Sequence, residues 1–115
     1  MLIDTSVIIG ILRNNLEITG DSLSVISMIE IGRALDDEKR MKTFEKLKEM
    51  YTVYPIDENV ALEYCWLYYE LKKKGQLMSD LDLIIASTVK AYDQKLVTKD
   101  KDFLKVGSYI DVEII

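Results

Sequence analysis

Four carboxylates carry the chemical interest of this sequence: Asp4, Glu30, Asp82 and Asp100. Asp4 follows the apolar pair Leu2-Ile3, and Glu30 comes after Ser24-Val25-Ile26. Asp82 opens Leu83-Ile84-Ile85-Ala86, and Asp100 follows Leu96-Val97-Thr98, with Asp80 and Asp102 as close companions. Taken singly, each has a structural explanation. Asp4 would cap a first helix. Ser27-Met28-Ile29-Glu30 fits a capping box, Ser79-Asp80-Leu81-Asp82 fits one more loosely, and Asp100 would cap the turn after it. Taken together, the four would converge on one edge of a sheet, and convergence of like charges needs a cause. Two carboxylates about 4 Å apart repel by roughly 4 kcal/mol at an effective dielectric near 20. A group of them stays ionised only around a cation, or else shares protons through raised pKa values. An all-oxygen ligand set selects a hard ion such as Mg²⁺ or Mn²⁺. Such an ion lowers the pKa of a bound water and neutralises charge building on a phosphate. The chemistry expected of this pattern is phosphodiester hydrolysis.

Absences narrow the field further. The chain has no histidine, which excludes the Ser-His-Asp triad and every His-ligated zinc or iron site. A single cysteine, Cys65, excludes an internal disulfide and a cysteine-cluster metal site. Flanked by Tyr64 and Trp66, it is expected in the core rather than as a nucleophile. The 115 residues, 49% apolar and 30% charged, have the profile of one ordinary globular domain. The net charge of −5 argues against simple electrostatic capture of nucleic acid, but not against a metal-bridged phosphate. No apolar run is long enough to span a bilayer, and Asp4 interrupts the place where a signal peptide would continue. No membrane partner and a cytoplasmic location are therefore expected.

The elements that must position the acids follow from periodicity and breakers. Leu2-Ile3 reads as a strand, followed by a helix from Thr5 to Arg13 and a loop from Asn14 to Asp21. A second strand is expected over Leu23 to Ser27, leading into a helix from Met28 to Leu35. A charged helix over Asp36 to Met50 would turn Met41, Phe44 and Leu47 to one face. Tyr51 to Ile56 is rich in strand formers. Asp57 to Lys74 is the clearest helix, striped by Val60, Tyr64, Leu67, Tyr68 and Leu71 and closed by Gly75. A helix over Asp80 to Tyr92, a strand at Leu96 to Thr98, a helical turn from Lys101 to Val106 and a last strand from Val112 to Ile115 complete the chain. Alternation of this kind implies an α/β fold with a mainly parallel sheet covered on both faces. In such sheets function gathers outside the carboxyl ends of the strands.

Leu2-Ile3-Asp4-Thr5-Ser6, Glu30 with Gly32, Asp82 to Ala86, and Leu96 to Phe103 resemble, in order, the four motifs of PIN-domain proteins. The likeness is greatest to the VapC-like toxins of toxin–antitoxin pairs. It covers essentially the whole chain, and its most specific part is the last two motifs, with eighteen positions from Asp82 to Asp100. The resemblance implies a PIN-like α/β/α sandwich as a single domain over residues 1–115. It also implies an Mg²⁺- or Mn²⁺-dependent endoribonuclease acting on RNA, a homodimer, and a small antitoxin partner of VapB type that reaches into the acidic site. Carried over by position, Asp4, Glu30, Asp82 and Asp100 would be the catalytic and metal-binding acids, with Ser6 and Thr98 as nearby hydroxyls. The segment between Asp4 and Glu30, 26 positions, is shorter than the family pattern, so a more open site is expected. The fourth motif offers two acids. Asp100 is expected innermost, with Asp102 orienting a lysine or a metal-bound water and Asp80 in support.

Lys99 and Lys101, with Lys95 and Lys105 nearby, are placed to guide RNA, as are Arg13 and Arg33. Lys72-Lys73-Lys74 fits the ordinary preference of cations for a helix C-terminus. Tyr64, Trp66, Tyr68 and Tyr69 are expected in the core or in a dimer contact. Three other readings stand beside this one. A receiver-type signalling module would use Asp57 as phosphoacceptor, yet Asp57-Glu58 reads better as a helix cap. A PIN fold kept for binding alone would be inactive, and a housekeeping RNA-processing nuclease would share the chemistry without the antitoxin.

Overall fold

A computed structural model describes residues 1–14, 17 and 19–115. The chain alternates β1 (Leu2–Ile3), α1 (Thr5–Asn14), β2 (Ser22–Ser24), α2 (Val25–Gly32), α3 (Asp37–Met50), β3 (Thr52–Tyr54), α4 (Glu58–Lys73), α5 (Asp80–Ala91), β4 (Lys95–Thr98), a 3₁₀ helix (Lys101–Val106) and β5 (Asp111–Ile114). The loop expected from Asn14 to Asp21 lies partly outside the described residues. Its described end turns at Gly20, where φ is +77° and a Cβ would come within 2.9 Å of the Met1 carbonyl oxygen; only glycine sits there without strain.

The five strands are all parallel, in the order β3-β2-β1-β4-β5. The chain builds outward from β1 on one side, then returns to β1's other edge with β4. The crevice between the ends of β1 and β4 is thus the point where the strand order reverses, the usual ligand site of open parallel sheets. Alternation along each strand divides the core in two. Leu2 and Leu96 face α4, α5 and the 3₁₀ helix together with Leu67, Leu71, Leu83 and Phe103. Their neighbours Ile3 and Val97 face α1, α2 and α3 with Val7, Ile8, Leu23 and Leu47. Each of these fully buried side chains contributes roughly 1.5–3 kcal/mol of transfer free energy. The product is the expected α/β/α sandwich.

Several boundaries differ from the sequence reading. The second strand stops at Ser24, and α2 begins at Val25 rather than Met28. Val25 and Ile26 are good strand formers, but the Ser24 hydroxyl accepts the Ile26 N–H at 3.1 Å and caps the helix there. Ser27 is therefore inside the helix, and the capping box assigned to Ser27 and Glu30 does not exist. In α3, Phe44 and Leu47 pack inward but Met41 is 61% exposed, because a spacing of three drifts about 60° around the helix at each step. On α4 the stripe Val60, Leu67 and Leu71 is buried as expected, whereas Tyr68, Trp66 and Tyr69 lie outside the core. Cys65 is also exposed; it falls well off the buried face, so apolar neighbours in sequence misplace it. Asp57 caps α4 through the Val60 N–H at 3.0 Å and also accepts the Tyr92 hydroxyl, a helix-capping role and not a phosphoacceptor's. The α4 helix ends as a Schellman motif at Gly75, φ +65°, with the Gln76 N–H on the Leu71 carbonyl at 2.9 Å.

Candidate active site

Asp4 lies at the end of β1 and is 4% exposed. The strand pairing that seats it continues one step beyond the sheet, with its N–H donating to the Val97 carbonyl at 3.1 Å. It occupies the capping position of α1, yet its carboxylate only weakly serves the Val7 N–H, at 3.4 Å. The stronger contacts come from hydroxyls. Ser6 donates to Oδ1 at 2.7 Å, and Thr98, fully buried at the end of β4, donates to Oδ2 at 2.8 Å. Both hydroxyls are themselves held by backbone amides, Ser6 from across the crevice and Thr98 from the turn that follows its own strand. The Lys99 N–H reaches the Ser6 oxygen at 3.4 Å and the Asp100 N–H reaches the Thr98 oxygen at 2.9 Å. An amide-to-hydroxyl-to-carboxylate chain on each oxygen therefore fixes Asp4 between the two strand ends.

The other three acids arrive from separate elements. Asp100 stands just past β4 and caps the 3₁₀ helix by accepting the Asp102 N–H at 2.9 Å. Asp82 is in the first turn of α5, where Ser79 caps the helix and receives the Asp82 N–H at 3.4 Å. Glu30, half-buried on α2, accepts the Thr5 hydroxyl at 2.6 Å. Electrostatics marks their proximity. Burial pushes the Asp4 carboxyl above the ordinary carboxylate range; hydrogen bonds from Ser6, Thr98 and Val7 pull it back, and the charge of Asp100 raises it again. Burial likewise raises Asp82 against the hydroxyl of Ser79, with Asp100, Glu30 and Asp4 adding repulsion. Four carboxylates from β1, α2, α5 and the end of β4 thus share one field at the switch point of the sheet.

The remaining candidates scatter. Asp102 turns to Lys105, with which it forms an ion pair at 2.8 Å. Asp80 is exposed and accepts the Tyr64 hydroxyl at 2.7 Å, which pushes the Tyr64 phenol up to about 12. Lys99 and Lys101 are exposed beside Asp100, where β4 passes into the 3₁₀ helix. Arg33 is exposed at the end of α2. Arg13, at the end of α1, lines a groove of about 360 Å³ with Ile9, Leu12, Glu30, Ile31 and Leu35. Gly32 lets α3 close on α2 beside this groove: a Cβ there would meet the Phe44 ring at 2.7 Å. The sequence alone assigns no role to Thr5 and suggests a helix cap for Ser27. Both touch the Glu30 network, and the signal available was only Thr5's place between Asp4 and Ser6.

The model of the PIN domain matches residues 1–109. The chain belongs to the PIN-domain family. This PIN domain is 33% identical over 103 residues to Ribonuclease VapC1 of Methanocaldococcus jannaschii, a likeness covering 88% of this chain and 76% of that protein. It is similar to a member of the VapBC family of toxin-antitoxin systems, VapBC-5 from Mycobacterium tuberculosis, with a TM-score of 0.75 and 27% identity over 99% of this chain and 95% of that one. VapBC-1 from nontypeable Haemophilus influenzae shares the fold, with a TM-score of 0.83 at 22% identity over 98% and 96% of the two chains.

The PIN family implies a divalent cation, and the donor set here suits one. All candidate donors are carboxylate oxygens, and the repulsion that adds to burial in raising Asp82 is what a cation relieves. Among the described residues no three such side chains are gathered closely enough, as they stand, to hold an ion. Mg²⁺ does not require that, because it keeps several waters and is bound by one or two carboxylates. The two lateral hydroxyls leave further lone pairs on both oxygens of Asp4, so its orientation is fixed without exhausting its capacity as a ligand.

Proposed function

We propose that this PIN domain is an Mg²⁺- or Mn²⁺-dependent endoribonuclease and the toxin of a VapBC-type toxin–antitoxin pair. The observation that carries the reading is the meeting of Asp4, Glu30, Asp82 and Asp100 in one field at the carboxyl end of the sheet. The 33% identity to a protein named Ribonuclease VapC1 supports the activity, and the likeness to VapBC-5 supports the pairing with an antitoxin.

In this reading Asp4, Asp82 and Asp100, with Glu30, hold the ion. When bound, the ion supplies an acidified water and neutralises charge developing on the phosphate. The chain's own contribution is position. Ser6 and Thr98 aim Asp4 and favour its ionised form against the burial that raises it, and Asp100 is anchored through its own amide to Thr98. Lys99 and Lys101 beside Asp100, Arg13 in the groove it lines with Glu30, and Arg33 supply positive charge for the RNA backbone beside a site that would otherwise repel it. The absence of histidine is no obstacle, since none of these roles needs one. The groove beside Glu30, apolar through Ile9, Leu12, Ile31 and Leu35, is the seat proposed for an antitoxin segment. Leu62, Trp66 and Tyr69, exposed along α4, are the face proposed for a homodimer, and the whole chain 1–115 is proposed to act as one domain.

The test is incubation of the purified protein with single-stranded and structured RNAs in Mg²⁺, Mn²⁺ or EDTA. Cleavage that needs the ion and stops with EDTA is expected. Cleavage undiminished by EDTA, or none on any RNA with either ion, overturns the reading.

A further inference from the structure

The polar contacts around Glu30 run in one direction. The Thr5 hydroxyl lies 2.6 Å from Glu30 Oε1 and 2.9 Å from the Ser27 hydroxyl. A carboxylate only accepts, and Thr5 has one proton to give. Thr5 must therefore donate to Glu30, and Ser27 must donate to Thr5. Ser27 is fully buried on α2, one helical turn before Glu30, so the chain leaves α2, crosses to the first turn of α1 and returns to α2. Hydrogen bonds linked in this way polarise one another.

This arrangement answers a specific need. Glu30 shares the site with three other negative charges, and its repulsion adds to the burial that raises the carboxyl of Asp82. An unrestrained glutamate side chain has three rotatable bonds with which to swing toward solvent and away from that field. Thr5 follows Asp4 directly, so the backbone that fixes Asp4 in the crevice also fixes the donor that holds Glu30.

We propose that Thr5 is a positioning residue that, backed by Ser27, holds the Glu30 carboxylate in the acidic site, where it favours binding of the cation. The inference rests on the metal-dependent reading of that site. Its test compares Mn²⁺ affinity, measured by calorimetry on the full chain, for the parent, Thr5→Val, Thr5→Ser and each Thr5 variant in a Glu30→Ala background. Thr5→Val keeps the branched shape and removes the donor. It is expected to weaken Mn²⁺ binding by about 10- to 100-fold, the usual effect of losing a partner that orients a ligand, and Thr5→Ser is expected to restore most of that loss. In the Glu30→Ala background Thr5→Val should change the affinity by no more than about twofold, the scatter of independent sites. Parent-like Mn²⁺ binding by Thr5→Val overturns the proposal, as does an equal loss in Thr5→Ser or an undiminished effect without Glu30. A parent that neither binds Mn²⁺ nor cuts RNA overturns instead the reading on which it rests.

Discussion

Thr98→Val probes the hinge of the site, because the Thr98 hydroxyl makes two contacts and is fully buried. It donates to Asp4 Oδ2 at 2.8 Å and accepts the Asp100 N–H at 2.9 Å. Valine preserves shape and removes both. A hydrogen bond to a charged group contributes about 1.5–3 kcal/mol, and the orphaned amide adds about 1 kcal/mol more. The expected loss at neutral pH is therefore about 3 kcal/mol. At about 4 °C per kcal/mol for a domain of this size, the melting temperature should fall by roughly 12 °C. The loss should also depend on pH. Asp4's carboxyl is raised in the folded protein, mainly by burial, so the native state holds its proton more tightly than the unfolded chain. Its ionisation therefore lowers stability as pH rises from the unfolded value through the folded one, after which the contribution is constant. Removing the Thr98 donor raises the folded value further and deepens that fall. Urea melts of the two proteins in EDTA, from pH 4 to pH 8, should show a deficit that is smallest at the acid end and flat near neutrality. A deficit under about 0.5 kcal/mol at pH 7, or one independent of pH, would refute the argument that Thr98 serves an ionised Asp4.

Three further outcomes follow from the same geometry. Glu30→Gln keeps an acceptor for Thr5 but removes the charge, so RNA cleavage should fall sharply while the thermal melt stays near the parent's; intact cleavage with a lower melt would assign Glu30 a structural role. Asp100→Asn should reduce both cleavage and Mn²⁺ affinity far more than Asp102→Asn, whose ion pair with Lys105 is partly exposed and contributes about 1 kcal/mol or less; the reverse order would put Asp102 in the site. Asp57→Ala should lower the melting temperature by removing the α4 cap and the Tyr92 partner while leaving cleavage untouched, and a loss of activity at unchanged stability would revive a functional role for Asp57.

Much of the fold was legible because local signals agreed with one another. The α4 stripe, its cap at Asp57 and its stop at Gly75 all point to one helix, and the apolar run Leu96-Val97-Thr98 marks β4. The β2–α2 junction was not legible, since the propensity of Val25 and Ile26 and the cap at Ser24 pull in opposite directions and the cap decides. The exposure of Cys65, Trp66 and Tyr69 was hidden for a different reason: apolar residues are expected inside, but a helix has one inward face, and Val60, Leu67 and Leu71 occupy it. The site divides along the same line. Its acids could be picked out by type and by their place after apolar runs. Ser6 and Thr98 could be named from the resemblance but not their partners, and Thr5 could not be named at all, because Thr98 meets Asp4 across 94 positions and Thr5 meets Glu30 across 25. Such contacts are created by strand order and helix packing, which no local pattern encodes.

The central claim is that four carboxylates form one metal-dependent nuclease site, and Asp82→Asn tests it most directly. The measurement is the rate of RNA cleavage in Mn²⁺ by parent and variant, with the thermal melt of each recorded in EDTA. Removing one charge from a group that raises its own members' pKa values should leave the metal-free fold as stable as the parent or more so. Cleavage should fall by about a hundredfold or more, as expected when several kcal/mol of charge stabilisation is lost. Parent-level cleavage by a folded Asp82→Asn protein would contradict the account.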